Sequence, residues 1–356
     1  MAELDIISAE IFACKSDAPQ IIWAKDMSPM FEANIIVKLK TKSGIECVGG
    51  VLIPTEHFYD HSIVEACRNL FPEIIGKNIE HRVQLTQFML TRCVPLNPLA
   101  VSSIDIAMWD GYAKHLNKPL CDVLGRKRDS IASYASTPLL KSINDYIDFV
   151  KKLQEQNFRT IKFHTWCNID FDLQMVSEVC PQFPNLSFMI DCEQRYSRED
   201  ALKLGMELDK LNFIWFEAPF NDFDWDSYQW LRNKIKTPVI GAGNSILNPF
   251  EIEQSLKLDV FHHARVDATY VGGITQVKDC TSGYRAIRTS YLKELDFSYL
   301  STRGYSFQSS LICDLAWRGA DIFEIPIEFS SRKGGDSKLA LRDQIEFLLN
   351  IPRLGF

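Results

Sequence analysis

The chain has 356 residues, of which 46% are hydrophobic and 24% are charged, and its formal net charge is −7. This is the composition of a folded globular protein, and the length allows a large domain with a smaller companion. The negative charge and the lack of a basic cluster argue against nucleic acid as a partner. No apolar run approaches the roughly 20 residues that cross a bilayer, and the N-terminus lacks a basic region followed by an apolar one. We therefore expect a cytoplasmic protein without membrane contact.

The N-terminal part predicts an α+β domain over residues 1–125. Three alternating segments, 6–14, 33–41 and 46–52, predict an antiparallel sheet, with a turn at Ser43-Gly44. Between the first two lies an irregular segment, Ser16 to Phe31, which is either a mobile lid or a long surface connection. Residues 56–95 have helical periodicity, and Asn97-Pro98 precedes a long helix over about 99–115.

Three apolar runs later in the chain are each followed by a side chain that carries oxygen. Phe188-Met189-Ile190 precedes Asp191, Phe213 to Phe216 precedes Glu217, and Pro238-Val239-Ile240 leads to Asn244. The spacings of 26 and 27 residues leave room for a helix and two loops between parallel strands. This pattern is typical of a (β/α) barrel, whose active groups stand at the C-terminal ends of the strands. Three converging oxygens would hold Mg²⁺, although acidic residues at strand ends are also ordinary helix caps.

Upstream, Thr160-Ile161-Lys162-Phe163-His164 predicts a strand whose Lys162 and His164 share a face, since side chains two apart in a strand point to the same side. A histidine titrates near neutrality, and the Lys162 charge would lower its pKa and favour the form that accepts a proton. His164 is therefore a candidate general base, and the alternative is a half-buried histidine bonded to a loop.

A family resemblance rests on several motifs. Ala100-Val101-Ser102-Ser103-Ile104-Asp105-Ile106-Ala107-Met108-Trp109-Asp110, with Leu124-Gly125 and Tyr134-Ala135-Ser136, resembles the linking segment of the mandelate racemase and acid-sugar dehydratase branch of the enolase superfamily. Over about residues 5–278, the resemblance implies a capping domain on a (β/α)₇β TIM barrel and a dimer or octamer. It also implies Mg²⁺ on Asp191, Glu217 and Asn244. The third ligand is usually Glu or Asp, and Asn is found there in the glucarate dehydratase group.

Three positions depart from the family pattern. The second lysine of the family's Lys-x-Lys motif, a general base, is replaced here by His164. Glu193 stands where the family usually has Asn. Arg265-Val266-Asp267, before Gly272-Gly273-Ile274-Thr275, resembles the sixth-strand motif whose Asp pairs with a histidine of strand seven. All seven histidines precede Asp267, so that partner is missing.

The C-terminal segment resembles a different family. Gly304-Tyr305-Ser306-Phe307-Gln308, Glu324-Ile325-Pro326-Ile327 and Gly335-Asp336-Ser337-Lys338 are similar to the C-terminal part of polyprenol-phosphate mannose synthases. The nucleotide-sugar half of such an enzyme has no counterpart here. We therefore divide the chain into a capping domain (1–125), six β/α units (126–278) and an atypical segment (279–356). That segment either completes the barrel or leaves an open edge covered by helices or by another subunit.

These features predict a Mg²⁺-dependent acid-sugar dehydratase. His164 would remove the proton α to the substrate carboxylate, Lys162 would neutralise that carboxylate, and Asp267 would be the remaining half of a dyad. Simple epimerisation fits less well, because it normally needs a base on each face of the carbon. The rival hypothesis is a fusion protein that keeps the fold and the metal site but catalyses nothing. The third hypothesis is a glycosyltransferase, which is disfavoured because the binding site for a nucleotide-sugar donor is absent.

Overall fold

Two β-sheets, each packed against helices, organise the residues described by this computed structural model, namely 2–15, 22, 28–55, 59–92 and 97–277. These residues all belong to one compact unit, Met1–Gly283. The strands are β1 (Ile6–Lys15), β2 (Phe31–Thr41), β3 (Glu46–Thr55), β4 (Ala135–Ser136), β5 (Thr160–His164), β6 (Ser187–Asp191), β7 (Phe216–Glu217) and β8 (Val239–Ile240). The helices are α1 (His61–Ile74), α2 (Arg82–Arg92), α3 (Pro98–His115), α4 (Leu120–Val123), α5 (Ile143–Glu155), α6 (Ile169–Val179), α7 (Arg198–Lys210), α8 (Trp225–Arg232) and α9 (Pro249–Lys257).

The N-terminal sheet is antiparallel, in the order β1-β2-β3, as the alternating segments predicted. Alternate residues of β2, from Ala33 to Leu39, are fully buried against the helices, because side chains alternate across a strand. The predicted turn after β2 places Gly44 at φ +90°, a conformation that favours glycine. This sheet, α1 and α3 enclose a hydrophobic core of their own.

Helix α3 joins this capping part to the rest of the chain. Its central residue Asp105 is fully buried, and its Oδ1 accepts hydrogen bonds from Thr86 Oγ1 at 2.6 Å and Thr275 Oγ1 at 2.5 Å. Asp105 Oδ2 accepts from the backbone N–H of Thr275 at 3.0 Å, and the Trp109 indole donates to Thr275 Oγ1 at 2.9 Å. Since buried polar groups are costly when unpaired, this junction holds α3 against the turn at Gly272-Gly273.

The second sheet is parallel, and its strands follow chain order from β4 to β8, each pair separated by a helix. Its core is a second cluster of apolar residues, in which Phe163 and Phe188 stack with ring centroids 5.3 Å apart. Sequential parallel strands with intervening helices are the units from which a barrel is built. The closed barrel itself stays a prediction. Residues 279–356, which were predicted to complete the barrel or to leave an open edge and which resemble glycosyltransferases in sequence, lie outside the described residues.

Several details differ from the sequence predictions. The strand expected over 213–216 is regular only at Phe216–Glu217, although Ile214 N–H already bonds to Phe188 O. The sixth-strand motif forms no strand within the described chain, and Asp267 Oδ1 instead accepts from Thr269 N–H and Oγ1. Most of the predicted lid or connection at 16–31 lies outside the described residues. Among the described helices, none has the length and apolarity that a bilayer crossing requires.

Candidate active site

The candidate site lies at the C-terminal ends of three adjacent parallel strands. In the register of the sheet, His164 of β5 stands beside Asp191 of β6, and Asp191 stands beside Glu217 of β7. Lys162 precedes His164 by two residues, and its ammonium reaches the carboxylates of both neighbouring strands. Parallel strands end at one edge of a sheet, and this is why residues from separate β/α units meet here.

Lys162 is the cation at the centre of this group. Its Nζ lies 2.9 Å from Asp191 Oδ2 and 3.1 Å from Glu217 Oε2, and all three side chains are at most 6% exposed. Burial alone would lower the pKa of Lys162, but the charges of Asp191 and Glu217 outweigh it and raise the pKa. Lys162 is therefore a fixed positive charge at the strand ends.

His164 is held in one orientation by a backbone carbonyl. Its Nδ1 lies 2.8 Å from Thr137 O, which can only accept, so Nδ1 carries the hydrogen and Nε2 faces Asp191 Oδ2 at 3.5 Å. Lys162 lowers the His164 pKa as expected, but the net shift has the opposite direction. Burial and Lys162 do lower the pKa, but the hydrogen bond and charge of Asp191 overcome both and raise it.

Glu217 is contacted from three sides. Besides Lys162, its Oε2 accepts from the Trp215 indole at 3.1 Å, while Oε1 accepts from Arg265 Nη1 at 2.8 Å. Burial, followed by the Asp191 charge, raises the pKa of Glu217 against the opposing effect of the two cations. Trp215 and Arg265 were not among the predicted site residues. The sequence could have identified Trp215, because residues two apart in an extended segment point to the same side and Trp215 lies two residues before Glu217.

Glu193 is a third carboxylate at the same place. Its Oε1 lies 4.0 Å from His164 Nε2, and its backbone N–H donates to Asp191 Oδ1 at 3.2 Å. Burial and the Asp191 charge raise the pKa of Glu193 to about 7. His164, Asp191 and Glu193 each offer one potential ligand atom, and these three atoms lie within 4.8 Å of one another. A single ion could bridge them.

Asn244 and Asp267 are the remaining predicted site residues. Asn244 is exposed and lines a cleft of about 700 Å³, together with residues of the capping part such as Asp60 and Leu99 and with Tyr270. Asp267 is half-buried and bonds to Thr269, as described above. The strand ends thus unite Lys162, His164, Asp191 and Glu217, and the roles of Asn244 and Asp267 stay predictions.

Comparison with known proteins decides the family. The model of the mandelate racemase/muconate lactonizing enzyme N-terminal domain matches residues 26–125, and the enolase C-terminal domain-like model matches residues 145–288. A crystal structure from Pseudovibrio sp., assigned to the same group, is 30% identical with a TM-score of 0.75, covering 88% of this chain and 83% of that one. The chain belongs to the mandelate racemase/muconate lactonizing enzyme family.

Proteins with named activities also match. The L-talarate/galactarate dehydratase of Salmonella typhimurium is 30% identical over 183 residues, which cover 49% of this chain and 45% of that protein. The structure of D-glucarate dehydratase from Agrobacterium tumefaciens, complexed with magnesium, has a TM-score of 0.67 at 23% identity, covering 79% and 78% of the two chains. The latter similarity shows the fold alone. The chain spans about half the length of the curated relatives it matches.

The donor atoms of the site fit the magnesium that the family implies. Among the described residues, the carboxylates of Asp191, Glu193 and Glu217 lie near two permanent cations, Lys162 and Arg265. Burial raises the pKa of Glu193 and of Glu217, and the negative charge of Asp191 raises both further. Oxygen ligands with excess negative charge suit a hard divalent cation.

Proposed function

We propose that this chain is a Mg²⁺-dependent enzyme that removes the proton α to a carboxylate, of the acid-sugar dehydratase type or a related racemase or epimerase. The observation that carries the proposal is the arrangement at the ends of β5, β6 and β7. A fixed cation, Lys162, and an oriented imidazole, His164, adjoin two buried carboxylates, Asp191 and Glu217. The L-talarate/galactarate dehydratase among the relatives acts on acid sugars by name, and this supports the same class of substrate here.

His164 would take the α proton on Nε2, because Nδ1 is bound to Thr137 O. Lys162 would orient and neutralise the substrate carboxylate. Bound Mg²⁺, on Asp191, Glu217 and a third ligand that the family resemblance assigns to Asn244, would supply Lewis-acid stabilisation of the charge on that carboxylate. Loss of the β-hydroxyl as water, followed by tautomerisation, would give a 2-keto-3-deoxy acid.

The test is mass spectrometric. The protein is incubated with Mg²⁺ and a panel of aldonic and aldaric acids in D₂O, and both deuterium at the α carbon and loss of water are scored. We expect exchange that a chelator abolishes. His164→Ala should lower it at least about 10²-fold, since a positioned general base contributes that much. His115→Ala, at an exposed position near the end of α3, is the matched control.

Three outcomes would contradict this proposal. Undiminished exchange in His164→Ala would remove His164 from the mechanism. No exchange with any acid, from wild-type protein shown to be folded, would favour the fusion protein that catalyses nothing. Specific binding of a nucleotide sugar would instead support the glycosyltransferase hypothesis.

A further inference from the structure

The geometry points to Asp222 as a positioning residue that fixes the loops beyond the ends of β6, β7 and β8. The inference rests on the proposed function, because these loops lead out of the strands that carry the candidate site. Asp222 lies in the loop between β7 and α8, and its side chain is fully buried. No step of the proposed reaction involves this carboxylate. A buried carboxylate is costly unless it is hydrogen-bonded, so its partners indicate its role.

The loop after β8 is held by side chains rather than by the sheet. β8 ends at Ile240, and among the described residues no backbone–backbone hydrogen bond involves residues 241–245. Asp222 provides acceptors instead. Its Oδ1 accepts from Ala242 N–H at 2.7 Å, and its Oδ2 accepts from Ser245 N–H at 3.3 Å. Both oxygens of the carboxylate therefore hold the segment that follows β8.

The same segment is coupled to Glu217 through Arg265. Arg265 Nη1 donates to Ala242 O at 2.6 Å and to Glu217 Oε1 at 2.8 Å. Ala242 is thus fixed on two sides, at its N–H by Asp222 and at its carbonyl by Arg265. If Ala242 moved, Arg265 would lose one of the two acceptors that orient its guanidinium beside Glu217. Asp222 therefore acts on the candidate site through Ala242 and Arg265.

Asp222 also contacts the loop after β6. Its backbone N–H donates to Gln194 Oε1 at 3.0 Å. Gln194 and the preceding Glu193 have φ angles of +63° and +46°, a left-handed conformation that is costly for residues other than glycine. This turn carries the Glu193 carboxylate, whose Oε1 lies 4.0 Å from His164 Nε2. The hydrogen bond from Asp222 helps to hold that turn in place.

The carboxylate of Asp222 packs directly against the first residue after β8. An added Cβ at Gly241 would lie 2.8 Å from Asp222 Oδ1 and 2.9 Å from two atoms of the Phe261 ring. Because real Cβ atoms do not approach other atoms so closely, Gly241→Ala would displace the carboxylate without changing its charge. This variant perturbs the same contacts from a second position.

A second aspartate holds the other end of β8 in the same manner. The Asp209 carboxylate accepts from Lys236 N–H at 2.9 Å and from Thr237 N–H at 2.7 Å, just before β8 begins. This end of the strand is opposite to the candidate site, which lies at the C-terminal strand ends. Asp209→Asn is therefore the matched control, because it weakens bonds between a carboxylate and the backbone without affecting the loops beside the site.

The experiment measures the binding of a metal probe without catalysis. Mn²⁺ alone is titrated into the full chain, and free Mn²⁺ is followed by electron paramagnetic resonance. Asp222→Asn replaces one acceptor oxygen by an amide group that donates. We expect it to lower the Mn²⁺ affinity at least about 10-fold, as for residues that orient metal ligands, and Asp209→Asn to change it less than about 2-fold. Gly241→Ala should also lower the affinity. Circular dichroism establishes that each variant is folded.

Hydrogen–deuterium exchange of backbone amides tests the loop directly. Exchange in peptides that cover residues 241–248 should be faster in Asp222→Asn than in wild type, and it should be unchanged in Asp209→Asn. Both variants lose bonds between a carboxylate and the backbone, so a general loss of stability would accelerate exchange in both. Faster exchange in Asp222→Asn alone would show that its carboxylate holds this loop.

The outcomes separate the inference from the function on which it rests. Equal Mn²⁺ affinity in wild type and Asp222→Asn, or equal losses in Asp222→Asn and Asp209→Asn, would overturn the inference alone. Unchanged hydrogen exchange over residues 241–248 in Asp222→Asn would also overturn it. Folded wild-type protein that binds no Mn²⁺ would contradict the proposed function, and hydrogen exchange in the loop would then decide the inference by itself.

Discussion

Replacing Gly273 by Ala should destabilise the protein more than the same change at a comparable glycine. Gly273 has φ +106°, and an added Cβ would lie 2.3 Å from Asp105 Oδ2 and 2.6 Å from Asp105 Cβ. The positive φ alone costs about 1–2 kcal/mol for alanine. Asp105 cannot move aside, since Thr86 and Thr275 hold its carboxylate, and overpacking adds about 1–3 kcal/mol. We therefore expect a loss of about 2–5 kcal/mol in the free energy of unfolding.

Gly44→Ala provides the matched control. Gly44 has φ +90°, but an added Cβ there meets nothing within 4 Å, so only the backbone cost of about 1–2 kcal/mol applies. The two variants are compared with wild type by urea denaturation at 25 °C, followed by circular dichroism. If Gly273→Ala were no more destabilising than Gly44→Ala, that result would refute the reasoning. The close approach of the turn to Asp105 in α3 would then add nothing to the loss of unfolding free energy.

Two further predictions concern stability in the parallel-sheet part. Burial raises the pKa of Asp172 from 3.8 to about 6, so between these values the native state holds a proton that the unfolded state has released. The unfolding free energy should therefore fall as pH rises through this window, by up to about 3 kcal/mol. Asp172→Asn should remove that part of the pH dependence in urea titrations at pH 4 and pH 7, and an unchanged slope would refute the assignment. Ser142→Ala should cost about 1 kcal/mol, because Ser142 and Asp145 form a reciprocal capping box at the start of α5. Ser177→Ala, within α6, should change thermal stability by less than about 0.5 kcal/mol, and equal losses at both positions would exclude a specific capping effect.

The sequence predicted the elements that carry a local pattern. The alternation in β2, the length of α3 and the position of Asp191 at a strand end depend on side-chain periodicity and turn residues, which are local properties. The same holds for Lys162 and His164, whose shared face follows from their spacing of two along β5.

The contacts that determine the electrostatics of the site were not predictable in this way. The net pKa shift of His164 depends on its distance to Asp191, which is set by the register between β5 and β6. The positions of Arg265 beside Glu217 and of Asn244 in its cleft depend on irregular segments, for which sequence offers no periodic signal. Glu193 was recognised only as a departure from the family pattern, because its left-handed backbone is not visible in the sequence.

The junction at Asp105 has a consequence for biosynthesis. Its partner Thr275 lies 170 residues further along the chain, so α3 leaves the ribosome long before its last hydrogen bonds can form. At about 5–20 residues per second, that interval is roughly 10–30 s. During this time the Asp105 carboxylate and the Trp109 indole of the nascent chain are without their partner Thr275. Translation of the parallel-sheet part is therefore the step that completes the capping part.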